Sequence, residues 1–471
     1  MRNKAIHIAV IGGGVAGSIA AMRLAESGAR VTLLEQGQEL VNGPPICHLH
    51  AGGCLYRELS DEACLTLLEQ SIETARSFPG ALRARPTLIA VPERDPGTVE
   101  MILPRLERLS ARYHELVKAD SANQVLGPAE HYYQIFSREQ LETIAQSAIP
   151  SEAVKPEDWL VNAARELDLD KLKFPVVLVQ EYGVSLFRVA ALVQLSTQRL
   201  PSLEICLESQ VTEVLPLAQG WRVSYRQHEQ LHHLDVDYLI NAAGYRSGEI
   251  DDLVGVHQQR LVEFKAAYLA KWPDADGIWP EVVIHGQRGT KQGMAQLTPY
   301  GNGIFQLHGM TPDITLFPQG VAKSNVLSAQ PRLSESVAQL AQGNWSQQLV
   351  DKRTRAAIDY LAEFMPAFRK ASVVAKPLSG AQQIPGDNLQ QRVSGASFGK
   401  FYARSEIVKF SSALPAADDI LTRLRDEFNV SLSSKSSVMG LPSSFSNEDI
   451  DRLADEIASR RQYPKALAST C

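Results

Sequence analysis

The sequence predicts an α/β protein, α+β overall, in which a nucleotide-type sheet built from separated stretches carries an inserted mixed β-sheet domain. Three observations predict it. Residues 6–35 read as strand, glycine turn, helix, strand and acid in immediate succession. Strand-then-glycine texture returns twice, near Gly244 and near Gly399. The stretches between these returns are polar, aromatic and strand-rich, a texture that suits a second domain.

Residues 6–11 are a short, mostly apolar run rich in β-branched side chains, as a strand buried on both faces requires. Gly12, Gly14 and Gly17 follow in GxGxxG spacing. Gly12 permits a tight turn, Gly14 lets the backbone approach a pyrophosphate, and Gly17 lets helix and strand pack closely. The helix over 15–27 ends at Gly28, and its N-terminus offers free N–H groups and partial positive charge to phosphates. The second strand, 31–34, ends on Glu35, an acceptor for both ribose hydroxyls whose charge repels a 2′-phosphate. This order and spacing predict a dinucleotide site. Its place at the N-terminus of the sequence favours FAD over NAD.

At 471 residues the chain has room for two or three domains. Hydrophobic content of 44%, charged content of 21% and a net charge of −6 describe an ordinary soluble protein, and with no basic patch or tail they argue against a nucleic-acid partner. Five cysteines (47, 54, 64, 206 and 471) without a CxxC pair support neither a disulfide framework nor a metal site. No apolar run reaches the ~18 residues of a membrane span, so the expected location is cytoplasmic, with peripheral contact to the inner face of a membrane left open.

Taken in order, residues 36–54 are irregular and contain Cys47-His48-Leu49-His50-Ala51-Gly52-Gly53. A glycine pair beside histidines is either a plain surface loop or a place where backbone lies against a flat ligand. Ser60 reads as an N-cap for a helix carrying Leu68, Ile72 and Ala75 on one face. Then come a strand at 87–92, a helix over 96–118, a helix over 137–146 and a helix over 186–200. Strands follow at 203–207, 211–214 and 220–225, and a buried strand at 238–245 runs into a second glycine turn. Strands at 262–269, 281–285, 296–298 and 304–307 continue the pattern, with a hairpin turn at 299–303 and His308 at its exit. A helix is expected over 350–364, and small residues from Ser411 to Ala417 open another helix. In the tail, Ser446 caps a helix with Ile450, Leu453 and Ile457 on one face, which either packs on the body or meets a membrane or partner.

On these residues the chain resembles the D-amino-acid-oxidase-like superfamily of FAD-dependent oxidoreductases. Leu49-His50-Ala51-Gly52 with Leu55-Tyr56 is similar to a loop of L-2-hydroxyglutarate dehydrogenases. Gln296 to Gly303 resembles a hairpin of that group and of malate:quinone oxidoreductases. The resemblance implies a Rossmann-like FAD-binding domain (1–80, 175–252 and 375–428), an inserted mixed β-sheet substrate domain (81–174 and 253–374) and a helical tail (429–471). It implies that Gly52 and Gly53 lie along the isoalloxazine. Ala243, Gly244 and the helix start at Ser411 and Ser412 also touch FAD, and Val211 joins that set. Some relatives attach FAD covalently through a histidine at the position of His50. The glycine-rich C-terminal turn common in the superfamily is replaced here by Phe398-Gly399-Lys400-Phe401-Tyr402.

The expected reaction is oxidation of a small 2-hydroxy acid by hydride transfer to flavin N5, with a quinone or oxygen as electron acceptor. Such a substrate asks for a guanidinium on its carboxylate and an imidazole for its hydroxyl proton. Arg404 is the candidate for the first role, His50 and His308 for the second. Amine or amino-acid oxidation in a pocket with Tyr300, Phe305 and Tyr402, and a flavin-binding protein without turnover, are the alternatives.

Overall fold

The computed structural model describes residues 6–43, 49, 59–275, 277–429, 432 and 438–470. Two sheets carry the architecture. The first has six strands, in the order Ala396–Gly399, Tyr402–Ser405, Tyr238–Asn241, His7–Ile11, Arg30–Leu34, Leu203–Cys206. All neighbours are parallel except the edge hairpin formed by Ala396–Gly399 and Tyr402–Ser405. His7–Ile11 is buried along its whole length, which explains the apolar run that follows His7. Helix Val15–Glu26 covers one face, flanked by Leu186–Thr197 and Ala413–Phe428. The other face carries Ser247–Val254 and a three-stranded antiparallel sheet of Ser209–Pro216, Trp221–Gln227 and Gln230–Val236. The last of these strands escapes the sequence reading because its polar residues hide the alternation.

The second sheet has ten strands and is mixed. Its long member, Arg260–Lys271, pairs with Ile304–Gly309 at one end and with Leu378–Pro385 over eight residues. The sequence places residues from 375 onward with the nucleotide sheet, but Leu378–Pro385 belongs here, and the chain rejoins the first sheet at Ala396. The expected hairpin is present. Its strands extend to Ala295–Tyr300 and Ile304–Gly309, and Asn302 and Gly303 adopt φ of +61° and +68° at the turn. The helix expected over 96–118 begins at Leu103. The Asp95 carboxylate accepts from the Gly97 amide at 2.7 Å and holds a turn there, and Pro104 fits the first helical turn.

Alternation along these strands divides the large sheet into two faces. Leu88, Tyr268, Val282, Ile284, Leu297, Phe305 and Leu307 face a core closed by helix Gln347–Leu361. Ala267, Leu269, Tyr300, Ile304 and Leu378 point the other way, into the core shared with the nucleotide domain. Tail helix Asn447–Arg460 buries Ile450, Leu453 and Ile457 in that same shared core, beside Leu186–Thr197, and Ser446 caps it. The chain's own body therefore covers the apolar stripe. Among the described residues no helix is long and apolar enough to cross a membrane.

Candidate active site

A cleft of 790 Å³ follows the carboxyl ends of the parallel strands, where open α/β sheets bind ligands. Gly12, Gly14, Glu35, Val211, Ala243 and Gly244 all line it. The three glycines of the motif have separate reasons to be glycine. Gly12 has φ +102°, and a Cβ there would lie 2.4 Å from the Ala242 carbonyl oxygen. At Gly17 a Cβ would stand 1.8 Å from the Gly12 carbonyl oxygen, so this glycine sets how closely helix meets turn. A Cβ on Gly14 would meet nothing within 4 Å, so its side faces the open cleft. These positions predict opposite outcomes. Gly17→Ala should cost about 1–3 kcal/mol of stability by overpacking. Gly14→Ala should leave the melting point of the apoprotein unchanged and weaken FAD binding. Melting curves with and without FAD check both; a Gly14→Ala protein that binds FAD normally would remove Gly14 from the cofactor contact.

Gly14 also caps helix Val15–Glu26 with no side-chain hydrogen bond and no acid in the first turn, leaving the first N–H groups and the dipole available to an anion. Glu35 is buried, and its carboxylate accepts from the Gly13 amide at 2.5 Å and the Gly37 amide at 2.6 Å. Those bonds fix the acid at the end of its strand, and a carboxylate has further lone pairs for ribose hydroxyls. On the facing wall, the Ala243–Gly244 turn is set by Asn241, whose side-chain oxygen accepts from the Ala243 amide at 3.2 Å. Open space at Gly14, an uncapped helix start and a buried acid fit the adenosine and pyrophosphate of FAD.

The remaining expected site residues divide. His50, Gly52 and Gly53 lie outside the described residues. Ser411 and Ser412 are buried, with Ser412 Oγ donating to Gln70 Oε1 at 2.9 Å, and neither lines the cleft. Arg404 also stands away from it. Its Nε donates to Asp251 Oδ1 at 2.7 Å inside a buried network with Tyr402, Asn241 and Arg260. Arg404 is thus held by Asp251 through its Nε and does not line the cleft, whereas other cations gather elsewhere.

Those cations stand with His308 on the large sheet's inward face. Along Ala295–Tyr300 and Ile304–Gly309 that face carries Gln296, Thr298, Gln306 and His308, with Gln296 paired to His308 and Thr298 to Gln306. Arg85 Nη2 meets Glu281 Oε2 at 3.2 Å, and Glu281 Oε1 accepts from Gln296. Arg288 pairs with Glu263, which also meets Lys265 Nζ at 3.3 Å. Burial alone would raise the Glu263 carboxyl, yet Lys265 and Arg288 outweigh it and hold it below the usual range. At the edge, the Arg83 guanidinium stands 4.3 Å over the Tyr300 ring, and burial pulls its pKa down to about 10.

Four buried polar atoms of this layer, Arg85 Nε, Arg288 Nη1, Thr298 Oγ1 and Gln306 Nε2, have no hydrogen-bond partner among the described residues. Buried polar groups are rarely left so, at about 1–3 kcal/mol each. Their concentration on one sheet face leaves hydrogen-bonding capacity there that the described residues do not use. Sequence reasoning missed most of this layer, although polar residues at alternate positions of otherwise apolar strands were a visible signal. It also missed Arg246, Lys376, Arg461 and Tyr463, which line the nucleotide cleft from distant stretches.

The family model described as DAO, FAD dependent oxidoreductase, matches residues 7–391. No curated protein matches by sequence. Among solved structures, glycine oxidase from Geobacillus kaustophilus is similar at a TM-score of 0.57 with 12% identity, covering 93% of this chain and 99% of that one. The glycerol-3-phosphate dehydrogenase from Bacillus halodurans complexed with FAD gives 0.57 and 12%, covering 98% and 73%. L-proline dehydrogenase from P. horikoshii gives 0.56 and 14%, covering 91% and 95%. At such identities these structures speak for the fold alone, whereas the family model spans most of the chain and agrees with the glycine turn, the acid and the cleft. The chain belongs to the DAO family of FAD-dependent oxidoreductases.

Proposed function

We propose that this enzyme oxidises a small 2-hydroxy acid on the polar inward face of its large sheet. The observation that carries the reading is the presence of His308 on the face that also holds the Arg288–Glu263 pair and the unpartnered donors. Bound FAD supplies the hydride acceptor. Arg288 Nη1 holds the substrate carboxylate, while Glu263 fixes the other arm of the guanidinium and restrains its orientation. His308 takes the hydroxyl proton as the carbon gives up its hydride. Thr298 and Gln306 orient the substrate oxygens, and burial of this face excludes water from them. Electrons then pass to a quinone or to oxygen.

A second reading, oxidation of an amino acid, is favoured by the buried carboxylates Glu263 and Glu281, either of which suits an ammonium group. Anaerobic mixing with a panel of 2-hydroxy acids and amino acids separates the two. Bleaching of the oxidised flavin by hydroxy acids is the expected result. Bleaching by amino acids alone would overturn the first reading in favour of the second.

A further inference from the structure

We propose that the C-terminal segment is a latch for the cofactor. Arg461 holds the loop over the glycine turn closed, and Lys376 on the rim supplies charge to the FAD pyrophosphate. The inference rests on FAD binding and not on the choice of substrate.

The loop after Glu35 lies directly on the nucleotide motif. Val41 donates its amide to the Gly13 carbonyl at 2.8 Å, and the Leu40 side chain covers Gly13 so closely that a Cβ there would be 2.5 Å from it. Val41 is fully buried with φ +51°, a left-handed conformation that a β-branched residue adopts only when its surroundings impose it. Arg461 imposes it from the other end of the chain. Its Nη1 donates to the Val41 carbonyl at 2.9 Å, its Nη2 to the Leu40 carbonyl at 3.0 Å, and its Nε to Glu39 Oε2 at 2.8 Å. Burial alone would raise the Glu39 carboxyl; Arg460 and Arg461 together hold it below its usual range. One planar fork thus fixes three consecutive residues, a geometry that lysine cannot reproduce.

Two residues later, the Tyr463 hydroxyl donates to the Pro377 carbonyl at 3.0 Å, and its ring lies 4.7 Å from Lys376 Nζ. Arg461, Tyr463 and Lys376 all line the cleft that Gly14 and Glu35 line. Lys376 has no carboxylate partner among the described residues, and its charge faces a cleft built for an anion. The tail that carries Arg461 is docked by Ile450, Leu453 and Ile457 and by Arg188, whose guanidinium pairs with Asp451.

FAD release from the holoenzyme tests this, followed as the rise in flavin fluorescence after dilution at low and high ionic strength. Arg461→Gln should speed release about tenfold or more at both ionic strengths, since it removes an ion pair and two backbone bonds. Lys376→Gln should speed release at low salt and flatten the salt dependence, because its contribution is a screened charge. Arg452→Gln, on the exposed side of the same helix, should change nothing. If Arg461→Gln does not fold, Glu39→Gln loosens the same loop from its other side and should show the same acceleration. Release within about twofold of wild type in the Arg461 and Glu39 variants, or equal acceleration by Arg452→Gln, would overturn the proposal.

Discussion

Replacing His308 with alanine should slow anaerobic flavin reduction by about 10²–10⁴-fold while FAD stays bound, the range typical for loss of a general base. The reasoning is positional. His308 sits on the inward face of Ile304–Gly309, opposite Gln296, and does not line the nucleotide cleft. Its loss therefore leaves the adenosine and pyrophosphate contacts untouched. Arg288→Lys should act differently. It keeps the charge but loses the fork, raising the KM for a hydroxy acid more than it lowers kcat. Stopped-flow reduction at varied substrate concentration reads both. A His308→Ala enzyme reduced within about threefold of the wild-type rate would remove this residue from the mechanism.

The nucleotide half of the molecule was readable because its constraints are local. Gly12 is dictated by its φ of +102° and Gly17 by contact with the turn itself, and Glu35 follows a strand whose buried pattern is plain in five residues. The polar inward face of the large sheet was harder to read because it is a product of register between distant strands. Gln296 is next to His308 only through hairpin pairing, and Arg288 reaches Glu263 across 25 positions of sequence. The hairpin at 299–303 was evident from its turn residues, but the polar side chains flanking it gained meaning only once one face of the sheet was seen to be inward. Tail residues Arg461 and Tyr463 follow an ordinary amphipathic helix, and nothing local signals that they reach a cleft formed by residues 12–43.

Arg404 shows the same limit, and it leads to the largest expected loss of stability. Tyr402 and Arg404 are two apart on one strand and therefore share a face, whereas Ala403 faces the opposite core. The shared face looks onto helix Ser247–Val254, where Asp251, fully buried, accepts from Tyr402 and Arg404 at 2.7 Å each and also pairs with Arg260. Arg260 in turn gives its Nε to Glu406 at 2.7 Å and begins the long strand of the large sheet, so the network joins the two sheets. Asp251→Ala leaves Arg404 buried without its carboxylate, which should cost about 3–5 kcal/mol. The thermal midpoint of the holoenzyme should fall by about 5 °C or more. Arg404→Gln should also lower it, yet leave flavin reduction by the preferred substrate within about threefold, because the guanidinium touches the network and not the cleft. If Arg404→Gln instead raised the KM for a carboxylate substrate by about 100-fold with little change in stability, Arg404 would be a substrate clamp after all. Measured together, midpoint and KM distinguish a residue that holds the two sheets in place from one that holds the substrate between them.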